Sequence, residues 1–144
     1  ARARDDAMVE RALKAMVAEY PDSLRPANSY SSLLADRGRA TEAFAVVEAY
    51  QKRRPADPVA LYQVGRVAAV TGQQLDRGEE ALRKYIALAP PPGSGVPTLS
   101  AAHFRLGAIQ EKRGNKAAAR TEYERAVKLD GRNDLARQAL ATLK

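Results

Sequence analysis

Several residue types are missing or scarce in this chain of 144 residues, and each shortage excludes a class of site. There is no cysteine, which excludes disulfides, thiolate metal sites and cysteine nucleophiles. The single histidine, His103, cannot form a zinc site with another imidazole. No segment approaches the roughly 18 consecutive apolar residues of a membrane-spanning helix. We therefore expect no cofactor, no metal and no membrane insertion.

Catalytic groups are equally scarce. His103 is the only side chain with an ordinary pKa near neutrality, and no serine or carboxylate lies at a recognisable spacing from it. A hydrogen-bonded structural role is therefore favoured over general acid–base catalysis. Gly93-Ser94-Gly95 lies among prolines and is not followed by a Lys-Ser or Lys-Thr pair, so it is not a phosphate-binding loop. These observations predict a protein that is not an enzyme.

The composition favours helices throughout. Alanine makes up about a fifth of the chain, while β-branched and aromatic residues rarely cluster. We predict an all-α protein. The residues from Asp76 to Glu79 are predicted either to start the fifth helix as a capping box or to form a polar loop. The predicted helices lie near residues 5–19, 24–36, 40–53, 58–71, 78–88, 100–113, 116–129 and 133–143.

Charge indicates the kind of partner. The chain has 24 Lys and Arg against 17 Asp and Glu, a net charge of +7, which is compatible with an acidic partner. Nucleic-acid binding is disfavoured, because the cations of the basic C-terminal third alternate with acids, as in Arg120, Glu124 and Lys128.

Punctuating residues recur at a fixed interval. Gly38 recurs as Gly72 after 34 residues, whereas Gly65 recurs as Gly107 after 42. A period of this length indicates a solenoid of repeated helix pairs. The eight extra residues are interpreted as two insertions of four, in residues 73–78 and 89–100. The second insertion is rich in proline and is predicted to be a spacer rather than a binding segment.

The unit from Ser100 to Asn133 resembles a tetratricopeptide repeat (TPR). It departs from the family pattern in having Gln110 at a bulky slot and Gly131 in place of the final proline. The residues that match the pattern are Leu106, Gly107, Ala119, Tyr123 and Ala126. The resemblance implies an α-solenoid of antiparallel helix pairs, and two earlier units match the pattern in part.

The resemblance also implies an organisation for the whole chain. Residues 1–144 are expected to form one TPR domain that is part of a longer polypeptide. Its expected parts are an N-terminal helix or half repeat (1–22), repeat 1 (24–57), repeat 2 with insertions (58–99), repeat 3 (100–133) and a capping helix (134–144).

A TPR array implies a protein-binding scaffold whose concave wall is built from the first helix of each pair. The expected partner is a protein or peptide with an acidic or carboxylate group. Candidate groove residues are Arg25, Asn28, Tyr62, Arg66, Phe104, Arg105 and Lys112. The chaperone-binding subtype of the family is disfavoured, because Asn28 occupies its lysine slot. A simpler alternative is that Tyr62 and Phe104 pack against neighbouring units and that the arginines pair with acids.

Two function classes remain open. The leading hypothesis is a non-enzymatic interaction scaffold. The alternative is an accessory or dimerisation region of an enzyme, such as a hydrolase, whose catalytic domain lies upstream of Ala1. An open apolar end would favour self-association through the first helix, using Val9, Leu13, Met16 or Val17. No feature of the sequence indicates a compartment.

Overall fold

Eight α-helices and no strand occupy the described part of the chain. The structure is a computed structural model that describes residues 2–143. Ala1 and Lys144, the ends of the expected domain, lie outside the described residues. The helices are α1 (Arg2–Glu19), α2 (Leu24–Asp36), α3 (Ala40–Arg53), α4 (Val59–Thr71), α5 (Leu75–Ala87), α6 (Leu99–Lys112), α7 (Lys116–Leu129) and α8 (Asp134–Thr142).

The helices form an α-solenoid, which confirms the predicted fold class. Three pairs, α2 with α3, α4 with α5 and α6 with α7, pack in chain order between α1 and α8. Within residues 2–143, α4 also contacts both α2 and α6, whereas α3, α5 and α7 make no comparable contact with one another. The side formed by α2, α4 and α6 is therefore the more closely packed one, and we call it the inner face.

The two helices of a pair approach closely at glycines. A Cβ atom on Gly107 would lie 2.5 Å from the ring of Tyr123, and one on Gly65 would lie 2.2 Å from Cγ of Leu82. Carbon atoms cannot approach so closely, so glycine is required at both positions. The recurrence of Gly65 as Gly107 in the sequence thus marks the close approach of the helices in two successive pairs.

The start of α5 differs from the prediction. The helix begins at Leu75, so residues 76–79 are helical and form neither a capping box nor a loop. The residue before the helix, Gln74, has φ +50° and makes no side-chain cap. The reason is that Gly78 must already be helical to pack on α4, where a Cβ would lie 2.3 Å from that of Ala68. The insertion predicted in residues 73–78 is thus mostly helix.

His103 connects α6 to α7. Its Nδ1 lies 2.7 Å from Oε2 of Glu122, and Nη1 of Arg125 donates to the other carboxylate oxygen at 3.1 Å. The Glu122 side chain is only 7% exposed. This contact is consistent with the structural role predicted for His103, although its carboxylate partner was not recognised in the sequence because it comes from the neighbouring helix.

Replacing Ala119 by leucine should destabilise the fold. Ala119 is fully buried beside Tyr123, so added methylenes would overpack the core at a cost of about 1–3 kcal/mol. Urea denaturation measures the change in the free energy of unfolding. Ala117→Leu, at an exposed site of the same helix, should stay within about 0.5 kcal/mol of the parent. Equal midpoints for the two variants would contradict the packing of α7.

Glu122→Ala should also destabilise the chain. It leaves the partly buried His103 nitrogen without its partner, which costs about 1–3 kcal/mol. Glu124→Ala, an exposed change on the same helix, is the matched control and should have an effect within about 0.5 kcal/mol. If both variants unfold at the same urea concentration, the His103–Glu122 contact contributes nothing measurable to stability.

Candidate functional site

Arg66 is an incompletely paired cation on the inner face. Its side chain is 22% exposed, and its Nη2 lies 3.8 Å from Oδ1 of Asp36, whose own side chain is 59% exposed. Its other terminal nitrogen, Nη1, is buried and has no hydrogen-bond partner in residues 2–143. A buried donor without a partner is costly, so a shift of this partly exposed side chain toward an acceptor supplied by a ligand would be favourable.

Arg105 adds a second cation beside Arg66. Its Nε donates to Oη of Tyr62 at 3.2 Å, and its guanidinium carbon lies 5.1 Å from the centroid of the Phe104 ring. Burial and, to a smaller extent, the charge of Arg105 lower the pKa of Arg66, while Asp36 raises it. Two guanidinium groups therefore share a region in which one largely exposed carboxylate opposes them. Such a region attracts an anion.

The two candidate aromatic rings are packed by their neighbours. Tyr62 is 9% exposed, and its ring centroid lies 5.8 Å from that of Tyr85. Phe104 packs on Tyr123 with a centroid distance of 5.7 Å and turns toward α7 and α8. The simpler alternative thus describes the packing of both rings. The same alternative also pairs the arginines with acids. This does not hold for Arg105, which makes no ion pair within the described residues.

Side-chain hydrogen bonds join α2 to α4 on the inner face. Gln63 is 3% exposed, and its Nε2 donates to Oγ of Ser31 at 2.8 Å and to Oγ of Ser32 at 3.0 Å. The same nitrogen lies 3.4 Å from the main-chain oxygen of Asn28. This buried amide holds the two inner helices in place, so it supports the inner face and is not itself available to a ligand.

A cavity of about 630 Å³ opens at the N-terminal ends of α2 and α4. Part of its wall is the segment between α5 and α6, whose Pro97 main-chain oxygen accepts a 2.6 Å bond from Oη of Tyr85. This segment therefore does more than connect two helices. The cavity is lined by Leu24, Arg25, Asn28, Ser29, Val59, Gly95, Val96 and Pro97. Apart from Arg25 and Asn28, these residues were not among the candidates, because only the folded chain brings the segment to this place.

The seven candidates thus occupy four places. Tyr62, Arg66 and Arg105 come together at the centre of the inner face. Arg25 and Asn28 line the cavity, and Phe104 turns away toward α7. Lys112 is exposed at the end of α6, where it approaches Gly72 at the end of α4. The structure therefore divides the predicted groove into a cationic centre and a separate cavity.

Among residues 2–143, no group of three or more histidine, aspartate or glutamate side chains could hold a metal ion. In the same part of the chain, no helix is long and apolar enough to cross a membrane.

Two solved structures are similar to this chain. The first, described as a crystal structure of MamA, has a TM-score of 0.65 and 18% identity, and the match covers 96% of this chain and 77% of that one. The second, described as a crystal structure of MamA protein, has a TM-score of 0.63 and 18% identity, with 96% and 72% covered. No family model and no curated protein sequence matches the chain. At this level of identity, the likeness shows the α-solenoid fold that the chain shares with MamA.

Proposed function

We propose that this chain is a non-enzymatic protein-interaction scaffold of the TPR type. Its helix pairs α2/α3, α4/α5 and α6/α7 correspond to the repeats 24–57, 58–99 and 100–133. The proposal is supported by the succession of antiparallel pairs, by the glycines at the close approaches and by the likeness to MamA in fold. The helix α1 corresponds to the N-terminal helix or half repeat, and α8 corresponds to the capping helix.

The partner binds on the inner face and places an acidic group at the cationic centre. Two features of the Arg66 guanidinium carry this proposal. Its buried Nη1 has no partner in the described residues, and its positive charge lies beside that of Arg105. A carboxylate placed there would accept charge-assisted hydrogen bonds and would relieve the repulsion between the two guanidinium groups. The outer face offers no comparable group within residues 2–143, since Arg66 Nη1 is the one buried side-chain donor left without a partner.

Arg66→Ala should weaken binding of a partner by about tenfold or more, because a hydrogen bond to a charged group contributes roughly 1.5–3 kcal/mol. A partner recovered by affinity capture is titrated calorimetrically against each variant. Arg120→Ala, on the exposed side of α7, is the control and should change the affinity little. If Arg120→Ala weakened binding while Arg66→Ala did not, the interface would lie on the outer face. Circular dichroism checks that both variants remain folded.

The alternative role is that of an accessory or dimerisation region of an enzyme. It is supported by apolar side chains that are exposed on the first helix. Val9 and Met16 are 50% and 41% exposed on α1, whereas Leu13 and Val17 pack against the core. In α7, the second helix of a pair, Ala119 and Ala126 are instead fully buried. The exposed apolar side of α1 therefore supports self-association as a second candidate function.

Met16→Glu should reduce self-association, because it places a charge on the exposed apolar side of α1. Sedimentation velocity over a range of micromolar concentrations measures the fraction of dimer. Ala18→Glu adds the same charge at an exposed position on the opposite side of α1 and should leave the dimer fraction unchanged. A parent chain that remains monomeric at every concentration would exclude this second role.

A further inference from the structure

The segment between α5 and α6 is held as a defined wall. Besides the bond from Tyr85 to Pro97, Oγ of Ser94 donates to the main-chain oxygen of Pro91 at 2.7 Å. At the far end, Oγ1 of Thr98 caps α6 by accepting from the Ala101 amide at 3.0 Å. Its prolines also restrict the backbone. The wall that this segment contributes to the cavity is therefore present before any ligand binds.

The cavity combines apolar surface with polar side chains that have no hydrogen-bond partner within residues 2–143. Leu24, Val59, Val96 and Pro97 provide apolar surface. The side chains of Arg25, Asn28 and Ser29 line it too, and none of these three donates or accepts a side-chain hydrogen bond within residues 2–143. Its volume of about 630 Å³ falls in the range of roughly 300–1,000 Å³ that is typical of ligand sites.

The cavity and the cationic centre lie on one side of α4. Val59, in the cavity wall, and Arg66 are seven residues apart, which is close to two full turns of a helix and about 10 Å along its axis. A partner segment can therefore reach both places at once if two of its side chains, about 10 Å apart, point the same way. In a polyproline II conformation, residues three apart meet this condition, because each turn takes three residues and the rise is about 3.1 Å per residue.

We propose that the cavity binds an aliphatic side chain of the same partner segment whose acidic side chain lies at Arg66 and Arg105. The segment is extended, and its aliphatic and acidic residues are three positions apart. An extended backbone has unpaired amide and carbonyl groups, for which Arg25, Asn28 and Ser29 provide partners, whereas a helix satisfies its own. This inference rests on the proposed inner-face function and adds the sequence pattern of the partner.

The test uses the full chain and fluorescein-labelled peptides with an amidated C-terminus. Each peptide carries one leucine and one glutamate in a serine–proline background, at separations from one to seven and in both orders. Fluorescence anisotropy should show the tightest binding at a separation of three in one order. Replacing the leucine by serine should weaken that peptide by about tenfold, as expected for the loss of a buried aliphatic side chain. A peptide that offers a free C-terminal carboxylate instead of glutamate should bind less well.

Two variants separate the cavity from the cationic centre. Val96→Asp should abolish the preference for leucine over serine and keep the dependence on glutamate. Arg66→Gln should abolish the dependence on glutamate and keep the preference for leucine over serine. Pro92→Asp introduces the same charge at an exposed position of the same segment that does not line the cavity, so it should bind like the parent.

The outcomes distinguish this inference from the function on which it rests. Binding that depends on glutamate but not on leucine would overturn the aliphatic site and leave the cationic centre in place. Tighter binding of an alanine-rich, helix-forming peptide in which leucine and glutamate are seven residues apart would indicate a helical ligand and would overturn the extended mode. Tighter binding of the free C-terminus would overturn the acidic side chain as the anchor. If no peptide binds and Arg66→Ala leaves a captured partner unaffected, the inner-face function itself is wrong.

Discussion

The close approach of the two helices within a pair is the constraint on which the rest of this structure depends. Where α5 packs on α4, Leu82 occupies the space that a side chain at Gly65 would need, and Gly78 packs on Ala68. A Cβ at either glycine would push the helices apart. Because α4 also contacts α2 and α6, such a displacement would move the inner face and the side chains that it carries.

Arg66 and Arg105 are paired differently from an arginine such as Arg39. Arg39 bonds Glu10 at 2.5 Å and Glu42 at 2.6 Å and thereby lowers the pKa of both carboxyl groups. Arg66 and Arg105 are the contrast, because their acidic neighbour is a single, largely exposed aspartate. The excess positive charge of the chain therefore matters most where pairing is incomplete and burial strengthens the interaction with an anion.

The helical part of the fold could be predicted closely because it rests on local rules. Glycines with positive φ at 38, 72 and 114 follow α2, α4 and α6, and the 34-residue spacing of Gly38 and Gly72 is visible in the sequence. The start of α5 could not be predicted in the same way. Polar residues at 76–79 are typical of a helix N-terminus, but packing of Gly78 on α4 continues the helix one turn further back. Tertiary contact there overrides the local preference.

The sequence by itself determined the helical pairs, the small residues at their close approaches and the presence of cations on the inner helices, because each of these follows from periodicity along one chain segment. Only the tertiary structure decided which polar groups remain without partners. Three features of the site depend on residues distant in sequence: the burial of Arg66 Nη1, the orientation of Phe104 toward α7, and the position of Val96 beside α2 and α4. Packing between such residues leaves no periodic signal, so the unpaired nitrogen of Arg66 and the cavity could be located only in the folded chain.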